Sequence, residues 1–185
     1  MFNLNSLISM NNNFFKNLGI GKRKLIEEWL EKHCKGEYTI DDKLIINASF
    51  NNITIKLDDD ETELPDYIQF GEAYSFDIGY NKNLKSLRGC PHKAIYFSCN
   101  FCSSLETLND APKECHQFFC RFCISLTTLE GIPQTCDKIG CTGCTSLKNL
   151  DDISPNTHFV NCQKLNNKEM CEKFSMSRTN TIVTY

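Results

Sequence analysis

The stretch FSCNFCSSLETLNDAPKECHQFFCRFCISLTTLEGIP, from Phe97 to Pro133, decides the fold. It contains the pattern C-x-x-C-x-x-L-x-x-L twice, and the second copy begins 21 residues after the first. A fixed period of this length is typical of solenoids, in which each unit of sequence forms one turn of a coil and stacks on the next.

The same period continues on both sides of this stretch. At an offset of 21 residues, two columns of leucine and two of cysteine coincide, together with a weaker apolar column of Phe97, Phe118, Ile139 and Val160. In the first unit Asn81 stands in place of a cysteine. The strong columns are Leu84, Leu105, Leu126 and Leu147; Leu87, Leu108, Leu129 and Leu150; Cys99, Cys120, Cys141 and Cys162; and Cys102, Cys123 and Cys144.

One unit reads Φ-x-C-x-x-C-x-S-L-x-x-L-x-x-Φ-P, where Φ is apolar. It resembles the leucine-rich repeat pattern L-x-x-L-x-L-x-x-N/C-x-L in its short, cysteine-containing form. The resemblance covers roughly residues 64–166. It implies an α+β fold, a short leucine-rich-repeat β-solenoid of about five rungs (turns of the coil) with a parallel sheet. We expect the strands near residues 77, 98, 119, 140 and 161.

A stacked core has two open ends that need caps. Residues 21–63 predict an N-terminal cap, formed by an amphipathic helix from Lys22 that ends at Gly36 and by a β-hairpin that turns at Asp41-Asp42. Its only tryptophan, Trp29, is expected in the core. Residues 167–185 predict a C-terminal cap, formed by a helix ending near Phe174 and a tail that pairs with the last strand. Residues 1–20 are expected to be poorly ordered or an extension.

The composition argues against two classes of partner. The net charge of −3 gives no polyanion-binding surface, so we expect no nucleic acid. The chain has no apolar run of the ~20 residues that a membrane helix needs, and its start lacks the features of a secretory signal. We therefore expect a cytoplasmic protein that binds no membrane.

The cysteines allow two interpretations. Cys102 and Cys120, like Cys123 and Cys141, enclose 17 residues, a spacing within the C-x2-C-x15–20-C-x2-C pattern of structural zinc sites. The alternative function is thus a small structural-zinc-binding protein. However, Asn81 is a poor zinc ligand in a cysteine column, and zinc ribbons require no leucine period. We interpret the thiols as a reduced structural ladder and expect neither a metal nor a cofactor.

The sequence shows no catalytic motif. It lacks a Gly-rich phosphate loop, H-E-x-x-H and G-x-S-x-G, and its four histidines share no column with an acid or a nucleophile that we can recognise. All four are expected at the surface. We therefore predict no catalytic residues and no enzyme.

Function is expected on the open face of the sheet. If Phe97 and Cys99 point inward, the intervening residues point outward. We predict a partner-binding patch of Tyr96, Phe119, Arg121 and Phe159, because aromatic residues and arginine are enriched at interfaces. We expect the aromatic residues at the bend after each strand, Tyr80, Phe101 and Phe122, to turn inward. The units also look like those of small bacterial and phage repeat proteins, which suggests a modulator of another protein.

Overall fold

Each 21-residue unit contributes one strand to a parallel sheet. A computed structural model describes residues 21–185, so the expectation for residues 1–20 lies outside the described residues. The described chain has an α+β fold with one nine-stranded sheet and two helices, α1 (Lys22–His33) and α2 (Lys168–Met176). The strands are β1 (Cys34–Lys35), β2 (Thr39–Ile40), β3 (Ile46–Ile55), β4 (Phe70–Asp77), β5 (Lys93–Ser98), β6 (Glu114–Phe119), β7 (Lys138–Gly140), β8 (Phe159–Asn161) and β9 (Ile182–Thr184).

The strand register reproduces the sequence period. Phe97 of β5 lies beside Phe76 on one side and Phe118 on the other, and the column continues to Ile139 and Val160. All five side chains are fully buried. Residues one period apart are therefore direct neighbours at the ~4.8 Å spacing of adjacent strands, and the predicted β-solenoid is confirmed.

The coil has more rungs than the five that we expected. Seven strands, β3 to β9, pair in parallel in sequence order. The two additional rungs lie at the ends, where β3 and β9 carry neither the leucine nor the cysteine pattern. Parallel pairing uses backbone groups, so a strand can extend the sheet without the side-chain pattern of its neighbours.

The first repeat strands also begin earlier than expected. The expected centres at residues 77, 98 and 119 fall at the end of β4, at the end of β5 and at the end of β6. The additional length comes from a second inward column of small residues, in which Ala73, Ala94 and Cys115 are paired in register and buried.

The leucine columns form the side of the core opposite the sheet. Leu105 and Leu126 are fully buried, as are Leu108 and Leu129. Successive loops there are joined by hydrogen bonds between backbone groups about one period apart, such as Thr127 N to Glu106 O at 3.2 Å. The leucines are therefore the apolar filling of the coil, as the period predicts.

The N-terminal cap consists of the expected helix and hairpin. In α1, Ile26, Trp29 and Leu30 are buried, and β2 pairs antiparallel with β3. The helix ends at His33 and not at Gly36, because Cys34 and Lys35 leave it to pair with the end of β3.

At the other end, Asn167 is the N-cap of α2, and its side chain accepts a hydrogen bond from Met170 N at 2.9 Å. Cys171 and Phe174 of this helix are buried. The tail strand β9 pairs in parallel with β8, as expected for the last strand. The last repeat unit is thus followed by both a helix and a further strand.

The cysteines after the strands donate hydrogen bonds to buried carbonyl groups. Cys102, Cys123 and Cys144 each donate from Sγ to the carbonyl oxygen 24 residues earlier, at 3.4, 3.1 and 2.8 Å. Asn81 occupies the same position in the first unit and donates to Ile55 O at 3.1 Å. A buried carbonyl without a hydrogen-bond donor is unfavourable. These side chains therefore stabilise the turns that join the rungs, because they donate to carbonyl groups that would otherwise be unpaired.

Thiol labelling is expected to detect one slow thiol in the native protein and twelve in the unfolded protein. Of the twelve cysteines, eleven are buried and only Cys34 is partly exposed. Burial raises the pKa of Cys34 to about 11, so its reactive thiolate is scarce near a pH of about 8. Titration with DTNB before and after denaturation measures both counts. Rapid labelling of several thiols in the native protein would show that the repeated cysteines are not buried.

Candidate binding face

The outward side chains of β4 to β8, and of the turn that follows each strand, form one continuous surface, which we call the open face. On each of β4 and β5, two neighbouring outward residues separate two inward ones, as Tyr74 and Ser75 separate Ala73 from Phe76. Tyr74 is 42% exposed and its ring contacts Tyr96 edge to face, with centroids 5.4 Å apart. Tyr74 was not predicted on this face, because strict alternation from Phe76 points it inward.

The four predicted patch residues are all half-buried side chains on this face. Phe119 and Arg121 form a pair in which the guanidinium carbon lies 4.8 Å from the ring centroid. Phe159 is instead paired with Lys138, whose Nζ lies 5.0 Å from the ring centroid. Tyr96 and Phe159 share one outward column but are three strands apart, roughly 14 Å. The structure therefore brings together one pair of the four and spreads the others along the face.

Gly140 makes room for the ring of Phe119. It is the neighbour of Phe119 across the sheet, and a Cβ built there would lie 2.9 Å from the ring and 3.0 Å from Arg121 Nε. The ring and the guanidinium thus lie over the glycine backbone instead of standing upright. This explains why Phe119 is only half exposed.

The aromatic residues at the bends lie on the outer surface, which corrects the expectation that they turn inward: Tyr80 and Phe101 are exposed, and Phe122 is half-buried. Tyr80, Phe101 and Phe122 stack in a row, with ring centroids 4.8 and 4.9 Å apart and interplanar angles of 17° and 13°. Tyr80 is 74% exposed and Phe101 is 40% exposed. We call these three residues the aromatic ladder. Because they recur every 21 residues, the period contained the signal for the stack, but not its direction.

Backbone conformation sets that direction. Tyr80, Phe101 and Phe122 have φ values of 62°, 61° and 58°, the left-handed region that bulky residues rarely adopt. The side chain that points inward at each bend belongs to the following residue, which donates a hydrogen bond to a buried carbonyl. One period after Phe122, the left-handed position is occupied by Gly143, with a φ of 73°, and a Cβ there would lie 2.5 Å from the ring of Phe122. The ring of Phe122 therefore packs over the backbone of a glycine, as the ring of Phe119 does.

Three cations lie on the aromatic rings of the open face. They are Arg121 on Phe119, Lys138 on Phe159, and Lys164, whose Nζ lies 5.8 Å from the centroid of Phe122. Within residues 21–185, none of the three has a carboxylate within 4.0 Å. Each cation is held by a ring and is electrostatically available to a ligand.

The acidic run from Asp58 to Glu63 is largely used inside the fold. Asp58 pairs with Lys32, Asp59 with Lys82 at 3.7 Å, and Glu63 with Arg88 at 2.9 Å. These pairs join α1 and the first repeat turns to the loop between them. Since most of these side chains are about half exposed or more, each pair stabilises the fold only slightly.

One histidine is not at the surface as expected. His33 is only 5% exposed; it stacks on Trp29, and its Nδ1 donates to Lys56 O at 2.8 Å. His92, His116 and His158 are exposed, and His158 forms an ion pair with Asp137. Sequence reasoning missed the burial of His33 because it lies at the end of α1, where the helix meets β3.

The metal-ligating groups that come together do not include the repeated cysteines. Within the described residues, one group of three, His33, Asp58 and Glu61, has its ligand atoms within 4.8 Å of one another. Lys32 pairs with Asp58, and the imidazole already has the carbonyl of Lys56 as its partner. Among the described residues the repeated thiols form no such group, and Cys102, Cys123 and Cys144 each donate to a carbonyl oxygen instead. This geometry does not favour the zinc alternative.

Neither α1 nor α2 is long and apolar enough to cross a bilayer. Comparison of the chain with protein-family models, with curated proteins and with solved structures finds no match.

Proposed function

We propose that this chain is a non-enzymatic protein-binding module of the leucine-rich repeat type, which binds one partner protein through its open face. The observation that carries the proposal is the aromatic ladder. Three large rings are stacked at the surface on backbone that disfavours them. Tyr96, Phe119, Arg121 and Phe159 lie on the same face.

The three residues of the aromatic ladder have a backbone conformation that is unfavourable for residues other than glycine. A non-glycine residue in the left-handed region costs on the order of 1 kcal/mol, and glycine avoids this cost, as Gly143 does in the same column. Stacking returns about 0.5–1.5 kcal/mol for each pair of rings. The two effects nearly cancel, so folding alone does not explain why aromatic residues occupy these bends. Recognition does, because exposed aromatic side chains are enriched where proteins bind one another.

The size of the open face limits what it can bind alone. Its five strands, β4 to β8, span roughly 19 Å at ~4.8 Å spacing, and the nine residues from Glu72 to Tyr80 span roughly 30 Å at ~3.3 Å each. Their product, roughly 570 Å², is smaller than the roughly 800 Å² per partner that stable interfaces bury. A stable complex is therefore expected to extend beyond the open face, onto the acidic loop or the N-terminal cap.

The proposed setting is a reducing compartment such as the cytoplasm. The support is chemical, because eleven buried cysteines carry free thiols. Burial raises the pKa of Cys141 well above its usual value, so this thiol stays protonated. Oxidation proceeds through the thiolate, which burial disfavours at Cys141.

Phe101→Gly is expected to abolish partner binding while leaving the protein folded. Glycine relieves the left-handed backbone but removes both ring contacts, so the free energy of unfolding is expected to change by less than about 1.5 kcal/mol. Binding loses the central ring of the ladder. The measurement compares proteins recovered from source-cell extract by tagged wild-type and variant chains, with urea unfolding of the same samples.

Ile124→Ala is the matched control, because Ile124 is 49% exposed and lies beyond the bend, outside the open face. It is expected to recover the same partner as the wild-type chain. Equal recovery by Phe101→Gly and wild type, with both folded, would reject the ladder as the binding site.

A further inference from the structure

We propose that the segment of the partner that binds the open face is acidic, with carboxylates that alternate with apolar side chains. This inference rests on the proposed function and specifies the chemistry of its ligand. It is carried by the arrangement of charge on the face, and not by the net charge of the chain, which is −3.

Cations and acids are placed differently on this face. At the start of the strands, Glu114 pairs with Lys93 at 3.5 Å, and Asp137 pairs with His158. Nearer the bends, Asp77 accepts from Gly79 N at 2.9 Å. Glu114 and Asp137 are therefore paired within the chain. Asp77 and Glu72 have no cation within 4.0 Å among the described residues, but both lie on β4, two or more strands away from the three cations. Arg121, Lys138 and Lys164, by contrast, have rings beneath them and, within residues 21–185, no carboxylate partner.

The aromatic rings of the open face also favour a negatively charged ligand. In the aromatic ladder each ring covers its neighbour, so the central ring, Phe101, presents its edge to solvent rather than its face. The edge of an aromatic ring carries partial positive charge and the face carries negative charge. Cations cover the faces of Phe119 and Phe159. Ring edges and ammonium or guanidinium groups together attract carboxylates, while the apolar surface between them accepts aliphatic side chains.

A peptide fits this face better than a single-stranded nucleic acid. Nucleic acids bind by stacking bases on free ring faces, and they need a continuous track of cations. Here the rings of the aromatic ladder stack on one another and those of Phe119 and Phe159 lie under cations. Three cations are spread over a protein whose net charge is negative. An acidic peptide can place one carboxylate at each cation, and unlike a nucleic acid it does not carry a negative charge on every residue.

The test measures binding of short fluorescein-labelled peptides by fluorescence anisotropy. The probes alternate leucine with glutamate, with glutamine or with lysine, and a uridine oligonucleotide serves as the polyanion. The proteins are the wild-type chain, Lys138→Glu combined with Lys164→Glu, the same two positions changed to arginine, and Lys148→Glu. Lys148 is exposed on the loop side of the coil, and its reversal is the control for a charge change outside the open face. Circular dichroism confirms that each variant folds.

The wild-type chain is expected to bind the glutamate peptide at least about tenfold more tightly than the other probes. The double glutamate variant is expected to lose that preference and to gain affinity for the lysine peptide, while the arginine and Lys148→Glu variants retain wild-type binding. Binding should weaken as the Debye length falls from about 10 Å at 0.1 M salt to about 3 Å at 1 M.

Two outcomes would overturn the inference. One is equal binding of all peptides, or of none, by wild type and charge-reversed protein, and the other is tightest binding of the oligonucleotide. If the extract experiment still recovers a partner that Phe101→Gly loses, the proposed function survives and only the acidic specificity fails.

Discussion

Phe97→Ala is expected to lower the free energy of unfolding by about 3–5 kcal/mol. Phe97 is fully buried at the centre of the sheet, where its ring stacks on Phe76 and Phe118 with centroids 5.8 and 5.1 Å apart. Truncation leaves a ring-sized cavity between two rungs that cannot close without breaking the strand register on both sides. The loss therefore combines transfer of apolar surface, the cavity and two ring contacts.

Urea unfolding, followed by circular dichroism and by the fluorescence of Trp29, measures this difference. Phe50→Ala is the matched control, because Phe50 is 94% exposed on the irregular part of β3. The control is expected to change the free energy of unfolding by less than about 0.5 kcal/mol. A Phe97 effect as small as that of Phe50 would show that the Phe column is not the core of the solenoid.

The contrast between these two phenylalanines shows what the period could and could not predict. Phe97 recurs as Phe118 one unit later, so its burial followed from the sequence alone. Phe50 belongs to β3, which has the same parallel pairing but no repeat pattern. The register slips between Ala48 and Asn52, and the sequence gives no sign of it. Strands recruited by backbone pairing at the ends of a repeat array cannot be counted from side-chain columns.

The candidate site was predictable in composition and less so in geometry. Alternation about Phe97 placed Tyr96 and Phe119 on the open face, where they lie. The same reasoning failed for Tyr74, because two outward residues separate the inward ones on that strand. It also failed for Phe101, whose direction depends on a left-handed backbone that glycine favours and that a phenylalanine in sequence does not indicate.

The position occupied by Asn81 gives the second large effect. Asn81→Ala is expected to lower the free energy of unfolding by about 3–5 kcal/mol. The side chain is 7% exposed, donates to the carbonyls of Ile55 and Ile78 at 3.1 and 2.8 Å, and accepts from Leu57 N at 2.9 Å. Alanine leaves the Leu57 N–H and the Ile55 carbonyl without these partners, and each buried group left unpaired costs about 1–3 kcal/mol.

The variant Asn81→Cys tests whether this position requires a hydrogen-bond donor or only a side chain of sufficient volume. A thiol can donate to one carbonyl, as Cys102 does to Ile78 O, but it is a poor acceptor for Leu57 N. We therefore expect the cysteine variant to lie between wild type and alanine. Asn83→Ala removes an exposed hydrogen bond to Asp59 O and is expected to change stability by less than about 1 kcal/mol.

Calorimetry or urea unfolding of these three variants orders them. Equal stability of the cysteine and alanine variants would mean that the donated hydrogen bond contributes nothing. The thiols of the later rungs could then be simple apolar filling. The expected order makes the cysteine column a set of hydrogen-bond donors, each of which stabilises the turn between two rungs. The first repeat unit uses asparagine because this side chain must also accept the Leu57 N–H, which leads in from the N-terminal cap.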